Sequence, residues 1–424
     1  MLSLKYIREN INIVTDSLIS KNSKINISNV MKLDGKRLKI LKEVEDLRSE
    51  KNKVSLNISK KKKHGSDAKK YIDNMRLLSN ELKELEGVLK ELNEKINNEI
   101  LYIPNIVHSS VPIGKDSASN KIIKEWGQKP SFSFSLKNHI ELLDELKLCD
   151  FKRAAKISGT GFPLYTGLGA RLERALINFM LDCHTDNHGY EEVFPPFLVN
   201  EISMTNTGQL PKFEEDMYNV KLDKLFCIPT AEVPITNIHQ GEILNEYDLP
   251  KSYVAYSACF RREAGSYGKE TKGLSRLHQF NKVELVKFAH PKESYSELNI
   301  LLEDAEYILQ KLGLHYRIIE LCSGDLSFSA AKCYDIEVWS PSDQKYIEVS
   351  SCSNFENFQS TRGNIRFKNK QTGKLDFVHT LNGSGVATPR LMIALIETYQ
   401  QENGSIILPK VLEKFMNLRE ISKA

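Results

Sequence analysis

Seven apolar residues, Met75, Leu78, Leu82, Leu85, Leu89, Leu92 and Ile96, follow one another at alternating steps of three and four. That unbroken rhythm marks a helix with one narrow apolar seam, stable only against a partner seam. A second seam precedes it: Ile40, Val44, Leu47, Val54 and Ile58 keep the same steps, with Lys51 filling one slot. The residues between are mostly Lys, Glu, Asn and Ser, so little outside the stripe is apolar. Between the seams lies Lys60-Lys61-Lys62-Lys63-His64-Gly65-Ser66-Asp67. Gly65 can end the first helix, and Ser66 or Asp67 can cap the second. The expected product is an antiparallel helical hairpin over about residues 27–100, a rod of roughly 45 Å at ~1.5 Å per residue. Residues 60–70 place six lysines against one aspartate at its tip. The plain readings are a solvated loop or a coiled coil that dimerises. A cationic tip on a rod also suits a phosphate-rich partner.

The 424 residues suffice for two or three domains. Ile7, Ile11, Val14 and Leu18 predict one short amphipathic helix ahead of the hairpin. No run of about 18 apolar residues exists, so no membrane span is expected. Lys5, Arg8 and Glu9 interrupt any signal-peptide core. The seven cysteines are scattered without a CxxC pair, which points to reduced thiols and a cytoplasmic location. A net charge of +4 says little about partners. Residues 107–130, with Pro112, Gly114 and Pro130, read as a linker between an N-terminal domain (1–106) and a larger one (131–424). In the larger part, helices are expected at 168–183, 292–312 and 389–402. Strands are expected at 191–199, 253–260, 276–288, 315–321, 333–340, 345–351 and 376–381. Without regular strand–helix alternation, this predicts an α+β fold with an antiparallel sheet flanked by helices.

The chemistry concentrates in Phe260-Arg261-Arg262-Glu263-Ala264-Gly265 and Arg276-Leu277-His278-Gln279-Phe280, with Glu284 four residues on. On a strand–loop–strand hairpin, residues two apart share a face. Arg261 and Glu263 would then point together, as would Phe280 and Glu284. That face offers a fork for phosphate, an acceptor for an amine and a plane for a base. Neither a GxxxxGK[ST] nor a GxGxxG sequence occurs, so the two common nucleotide folds are unsupported. Thr230 and Glu232 would set a hydroxyl and a carboxylate on one side of an extended segment, suited to an ammonium group. Asp335 and Glu337 alternate on a strand, followed by Glu348-Val349-Ser350-Ser351, an oxygen-rich set suited to Mg²⁺ on phosphates. Leu381-Asn382-Gly383-Ser384-Gly385 leads through Pro389 into a helix whose first turn carries Arg390. His184 and His188 are four apart beside Cys183, but no further ligand stands at a zinc spacing, and no zinc is expected.

The hairpin resembles the second signature motif of class II aminoacyl-tRNA synthetases, and residues 260–284 resemble the seryl-tRNA synthetase version. Gly189-Tyr190-Glu191-Glu192-Val193-Phe194-Pro195-Pro196 resembles the first motif, and the segment 381–390 the third. The resemblance runs over essentially the whole chain. It implies a class II catalytic sheet, a tRNA-binding helical arm and a homodimer with tRNA held across subunits. It implies ATP and Mg²⁺, and L-serine attached to tRNA(Ser), with tRNA(Sec) as a further acceptor.

By that match Arg261 joins the α-phosphate to the substrate carboxylate, and Arg390 reaches the γ-phosphate. Glu263 accepts from the adenine amino group, Phe280 stacks on the ring, Arg276 meets the outer phosphates, and Arg262 belongs to the same ATP-binding run. Thr230-Ala231-Glu232 holds the serine amine, and Glu284 with Ser384 surrounds the hydroxyl. The run Glu348-Val349-Ser350-Ser351 serves ATP, with Glu348 and Ser351 at the metal. Lys60, Lys61, Lys62, Lys63, Lys69 and Lys70 would meet tRNA.

The chain departs from the pattern at Arg262, at Gly161, at Thr361 beside Arg362, and at Thr388-Pro389 before Arg390. An amino-acid:carrier-protein ligase would lack the arm. An inactive RNA-binding relative would be expected to lose Arg261, Glu263, Glu348 or Arg390. Another class II specificity is disfavoured by Glu284 with Ser384.

Overall fold

The computed structural model describes residues 1–65, 67–264 and 272–423. Two compact units emerge. One holds Leu2–Ile19 and Ser23–Pro104, and the other runs from Asn105 onward with Met1 and Ser20–Asn22.

The first unit is helical. The single helix expected near the start is two, Leu4–Glu9 and Ile11–Ser20, because Asn10 leaves helical geometry at φ −130°. Its apolar positions Ile7, Val14 and Leu18 are nevertheless buried. The long hairpin follows as α1 (Ile27–Lys63) and α2 (Lys69–Ile100). At ~1.5 Å per residue α1 spans about 55 Å, longer than the seam alone suggested. Every seam residue named above is buried or half-buried, while Leu38, Leu56, Leu77 and Val88 off the seam stay exposed. Arg48 Nη2 reaches Glu86 Oε1 at 2.6 Å, tying one helix to the other. Gly65 adopts the left-handed conformation after α1, at φ +65°. Asp67 Oδ1 accepts from the Lys69 backbone N–H at the start of α2. Ser66 lies outside the described residues. Lys60 to Lys63 form the last turn of α1, where the carbonyl ends of the helix favour cations.

The second unit is built on one eight-stranded sheet. In chain order its strands are β1 (Lys121–Trp126), β2 (Glu191–Glu192), β3 (Lys251–Phe260), β4 (Gln279–Ala289), β5 (Tyr316–Glu320), β6 (Lys332–Ser340), β7 (Lys345–Asn354) and β8 (His379–Ala387). They lie in the order β1-β5-β6-β7-β8-β4-β3-β2, antiparallel except for the β2–β3 pair. The segment read as a linker therefore supplies an edge strand. Its Lys121-Ile-Ile-Lys-Glu-Trp alternation is charged enough for an exposed edge, and Trp126 stacks on Tyr316 at 5.6 Å. Of the strand expected at 191–199, only Glu191–Glu192 joins the sheet; Leu198–Asn200 pairs in a separate three-stranded sheet, the Pro195-Pro196 step ending the first. The strand expected at 376–381 instead runs through the glycine-rich segment to Ala387.

Helices α3 (Gly167–His188), α4 (Ser294–Lys311) and α5 (Thr388–Thr398) match the expected helices to within a few residues. Their apolar stripes, including Leu172, Leu176, Met180, Leu301, Leu309 and Leu395, form the main core with Val283, Leu285, Ile336, Val338 and Leu381 of the sheet. One face of the central strands is thus committed to helices. The period of two turns the alternate residues of β4 to the other face.

Candidate active site

The face of the sheet opposite the main core carries a cavity of about 600 Å³. Along β4, Phe280 and Lys282 line it and Glu284 adjoins them, while Val283 and Leu285 point back into the core. Ser384 on β8 stands directly across from Glu284 in the register, so their side chains share the face. Just beyond, β8 bulges between Ser384 and Val386, and Val386 sits at φ +110°, a conformation a β-branched residue rarely adopts. A second bulge lies in the β6–β7 pair, where Ile336 opposes Ser350 but Glu337 opposes Glu348. The extra residue, Val349, breaks the alternation. Glu348, Ser351 and Ser353 all line the cavity as a result.

The walls above the sheet come from loops. β3 ends at Phe260, so Arg261 and Glu263 do not share a strand face as expected. They reach the same cavity because Glu263 turns into the left-handed region at φ +51°. The glycines Gly265 and Gly268 of this loop lie outside the described residues. Thr230 and Glu232 are not on an extended segment either. Thr230 Oγ1 accepts from the Glu232 N–H at 3.2 Å, and a short helix, Glu232–Thr236, begins there. Both side chains still line the cavity.

Arg261, Arg276 and Arg390 line the cavity with their charges held by neighbours. Arg261 Nε donates to the Pro229 carbonyl at 3.3 Å, and its guanidinium lies 5.2 Å from the Phe280 ring centre. Arg276 Nη1 donates to Glu263 Oε2 at 2.9 Å. Arg390, in the first turn of α5, donates to the Glu348 carbonyl at 2.8 Å and to the Ser275 carbonyl at 3.3 Å. Of the expected site residues, Arg262, Ala231, Ser350 and Glu284 do not line the cavity, Glu284 lying wholly buried beside it. Arg262 is exposed and Ala231 buried, and Ser350 Oγ donates to the Ser384 carbonyl at 2.6 Å, bracing that residue.

One end of the cavity is a buried polar network. Asn382 Nδ2 donates to Glu232 Oε2 at 2.8 Å and to Glu284 Oε1 at 2.9 Å. Gln359 Nε2 donates to Glu232 Oε1 at 2.6 Å and is itself held by Thr380. Burial, and then the Glu284 charge, push the Glu232 carboxyl up to about 7. The Asn382 Oδ1 is buried without a partner among the described residues, an acceptor aimed at a site for donors. Sequence reasoning quoted Asn382 without a role and missed Lys282 altogether. The signal for Lys282 was its place two residues before Glu284 on the same strand.

The oxygen-rich corner lies on β6 and β7. Burial and the neighbouring Glu348 push Asp335 up to about 8. Among the described residues no cluster of three or more His, Cys, Asp or Glu side chains is set to hold a metal alone. His184 and His188 contact each other at 3.1 Å, and His188 faces Asp304.

A cavity with three arginines, one stacked on an aromatic ring, and a two-carboxylate pocket at one end fits a nucleotide beside a small amine. Comparison with known proteins narrows this. The family description "Seryl-tRNA synthetase N-terminal domain" matches residues 1–107, and "tRNA synthetase class II core domain (G, H, P, S and T)" matches residues 213–399. The serine–tRNA ligase of Geobacter sulfurreducens is 51% identical over 98% of both chains, and that of Caldicellulosiruptor saccharolyticus 56% identical over 98% of this chain and 99% of its own. The chain belongs to the seryl-tRNA synthetase family. A crystal structure of the seryl-tRNA synthetase of Pyrococcus horikoshii complexed with ATP superposes with a TM-score of 0.94 at 37% identity, covering all of both chains. The cytoplasmic enzyme of Naegleria fowleri in complex with AMP gives 0.86 at 26% identity, covering 99% and 97%.

Two departures from the seryl-tRNA synthetase pattern have structural counterparts. Pro389 sits in the first turn of α5, and the Thr388 hydroxyl donates to the buried Glu173 carboxylate, which also accepts from Asn281 at 2.8 Å. At Gly161, φ is +83° and a Cβ would stand 2.5 Å from the His278 ring, so a side chain there would strain the backbone and displace that ring. No helix among the described residues is long and apolar enough to cross a membrane.

Proposed function

We propose that this cavity activates serine with ATP and passes the seryl group to tRNA(Ser), the residues acting as follows. The chain is an ATP-dependent serine–tRNA ligase, as its family membership establishes. Glu232 and Thr230 receive the serine ammonium, and Glu284 with Ser384 the hydroxyl. The observation that carries this reading is the Asn382 bridge. One amide ties the two carboxylates together at 2.8 and 2.9 Å and leaves a buried acceptor beside them.

The reaction brings a serine carboxylate oxygen to the α-phosphorus of ATP and expels pyrophosphate. Two anions must approach, and Arg261 is the cation between them. Phe280 supplies the plane for adenine, Glu263 accepts from its amino group, and Arg276 and Arg390 neutralise the outer phosphates. No side chain need accept a proton in this step, because the nucleophile is already an anion. Positioning and charge stabilisation carry the rate. Mg²⁺ fits the corner at Glu348 and Ser351. Two oxygen donors leave the other positions to phosphates and water, and the cation would relieve the repulsion between Glu348 and Asp335. That ion would supply charge neutralisation at the phosphates.

The lysine tip, with Lys60, Lys62, Lys63, Lys69 and Lys70 exposed and Lys61 half-buried, suits the tRNA backbone. A cytoplasmic homodimer that holds tRNA across subunits, and tRNA(Sec) as a second acceptor, complete the proposal. Charging of unfractionated tRNA with labelled serine tests it. Serine must appear in acid-precipitable tRNA, and a protein that forms the adenylate without charging tRNA would contradict the arm's assignment.

A further inference from the structure

Lys282 is a buried cation inside the amino acid end of the cavity. Its ammonium donates to Thr230 Oγ1 at 2.9 Å and forms an ion pair with Glu284 Oε2. The Glu284 side chain is wholly buried and that of Lys282 nearly so. A lone carboxylate at such depth would shed its charge by taking a proton, whereas a paired one keeps it. Among the described residues, the groups around Glu284 do not supply a second cation at contact distance. Glu232 is acidic, and the Cys259 and Cys352 thiols, on β3 and β7, are pushed up by burial and stay protonated. Asn382 and Ser384 are neutral. Arg261 bonds to Pro229 instead.

We propose that Lys282 sets the serine specificity of the enzyme by holding Glu284 in its ionised form. This rests on the serine-binding assignment above. An ionised carboxylate accepts hydrogen bonds and cannot donate one. Facing a substrate methyl group, it loses its solvation and gains nothing, so alanine is rejected. Serine brings the donor the carboxylate requires. A protonated Glu284 would lie beside a methyl group at far less cost, and the discrimination would shrink. Lys282 is thus a specificity-determining residue, acting through Glu284 on a hydroxyl it need not touch.

The test is ATP–pyrophosphate exchange with serine and with alanine, using the full chain from pH 6 to 9. At pH 7, Lys282→Met lowers the serine-over-alanine ratio of kcat/KM by roughly tenfold or more, the scale on which unpaired buried polar groups govern selection. KM for ATP stays within about twofold, and Lys282→Arg retains most of the selectivity. In a Glu284→Gln background, adding Lys282→Met costs no further selectivity, since the residue it acts through is already neutral. This comparison holds even if the single Lys282→Met protein does not fold. An unchanged ratio in Lys282→Met overturns the proposal. So does an additive loss in the double variant, or a parallel rise in the KM for ATP. Wild-type protein without serine-dependent exchange would overturn the serine reading itself, and is seen before any variant is made.

Discussion

Arg276 Nη1 and Glu263 Oε2 lie 2.9 Å apart, so two groups assigned to opposite ends of ATP are each other's partner. Nucleotide binding must replace this bridge with adenine on one side and phosphate on the other. The pair is partly exposed, and its loss alone has little effect on stability. Arg276→Ala therefore raises KM for ATP by roughly tenfold or more while KM for serine stays put, because only the charge-assisted phosphate contact is removed. Equal rises in both constants would show that the arginine holds the fold instead.

Arg261 is the stronger case. Its hydrogen bond to a protein group is to the Pro229 carbonyl at 3.3 Å, and it leans on the Phe280 ring, so little in the fold depends on it. Arg261→Ala should lower serine-dependent exchange by about 10³-fold, the scale of removing a group placed where transition-state charge develops. The melting temperature should move by no more than a few degrees. Near-normal exchange in a folded variant would remove Arg261 from the reaction.

Glu232 makes a pH prediction with a definite sign. Its carboxyl is raised to about 7 from an ordinary 4.5 by burial first and the Glu284 charge second. Between those values the folded protein holds a proton the unfolded chain has lost, so this group makes the empty enzyme less stable as pH rises. Glu232→Gln removes that slope and gains on wild type from pH 5 to 8, read as the difference in melting temperature at each pH. Serine binding runs the other way. The ammonium needs the carboxylate, so KM for serine should rise as pH falls below about 7, and a flat profile would sink the assignment.

The arm separates the two half-reactions. Removing residues 58–70 takes away the lysine tip and leaves every cavity residue in place. Exchange should persist, while charging of tRNA falls by at least about tenfold and the remaining activity loses its steep salt dependence. Loss of both activities together would contradict this division. Within the hairpin, Leu82→Ala opens a gap in a seam that is otherwise closed and should destabilise the arm by about 2–4 kcal/mol, read as loss of helical signal at lower temperature.

Much of this was legible in the sequence because periodicity and pairing act locally. The apolar residues of the seams from Ile40 to Ile58 and Met75 to Ile96 all turn inward in the hairpin, although Ile27, Val30, Asp34 and Ile100, outside them, are buried too. Helices α3, α4 and α5 stood out by length and amphipathicity. The strand ends were less legible. β8 runs on through Gly383 and Gly385, beyond the strand end expected at 381, because the small side chains suit a bulged strand packed under α4, where a Cβ on Gly383 would stand 2.1 Å from Leu301. The edge strand at 121–126 was hidden by charge, which an edge requires. In the cavity, the residues with a motif were found, and those without were not. Asn382 matters through partners on other elements, and a pairing register cannot be read from one strand at a time; Lys282 pairs with Glu284 on its own strand and with Thr230, a contact no motif marks. Thr230 and Glu232 were found for a reason the structure replaces: a short helix, not an extended run, brings them together.

The most direct test of the account is ATP–pyrophosphate exchange by the wild-type chain with each of the twenty amino acids in turn. Serine alone should drive exchange at a substantial rate, with alanine lower by ~10⁴ or more, since it would leave the buried Glu284 and Ser384 unpaired. Exchange driven equally by another amino acid, or by none, would contradict the assignment of this cavity.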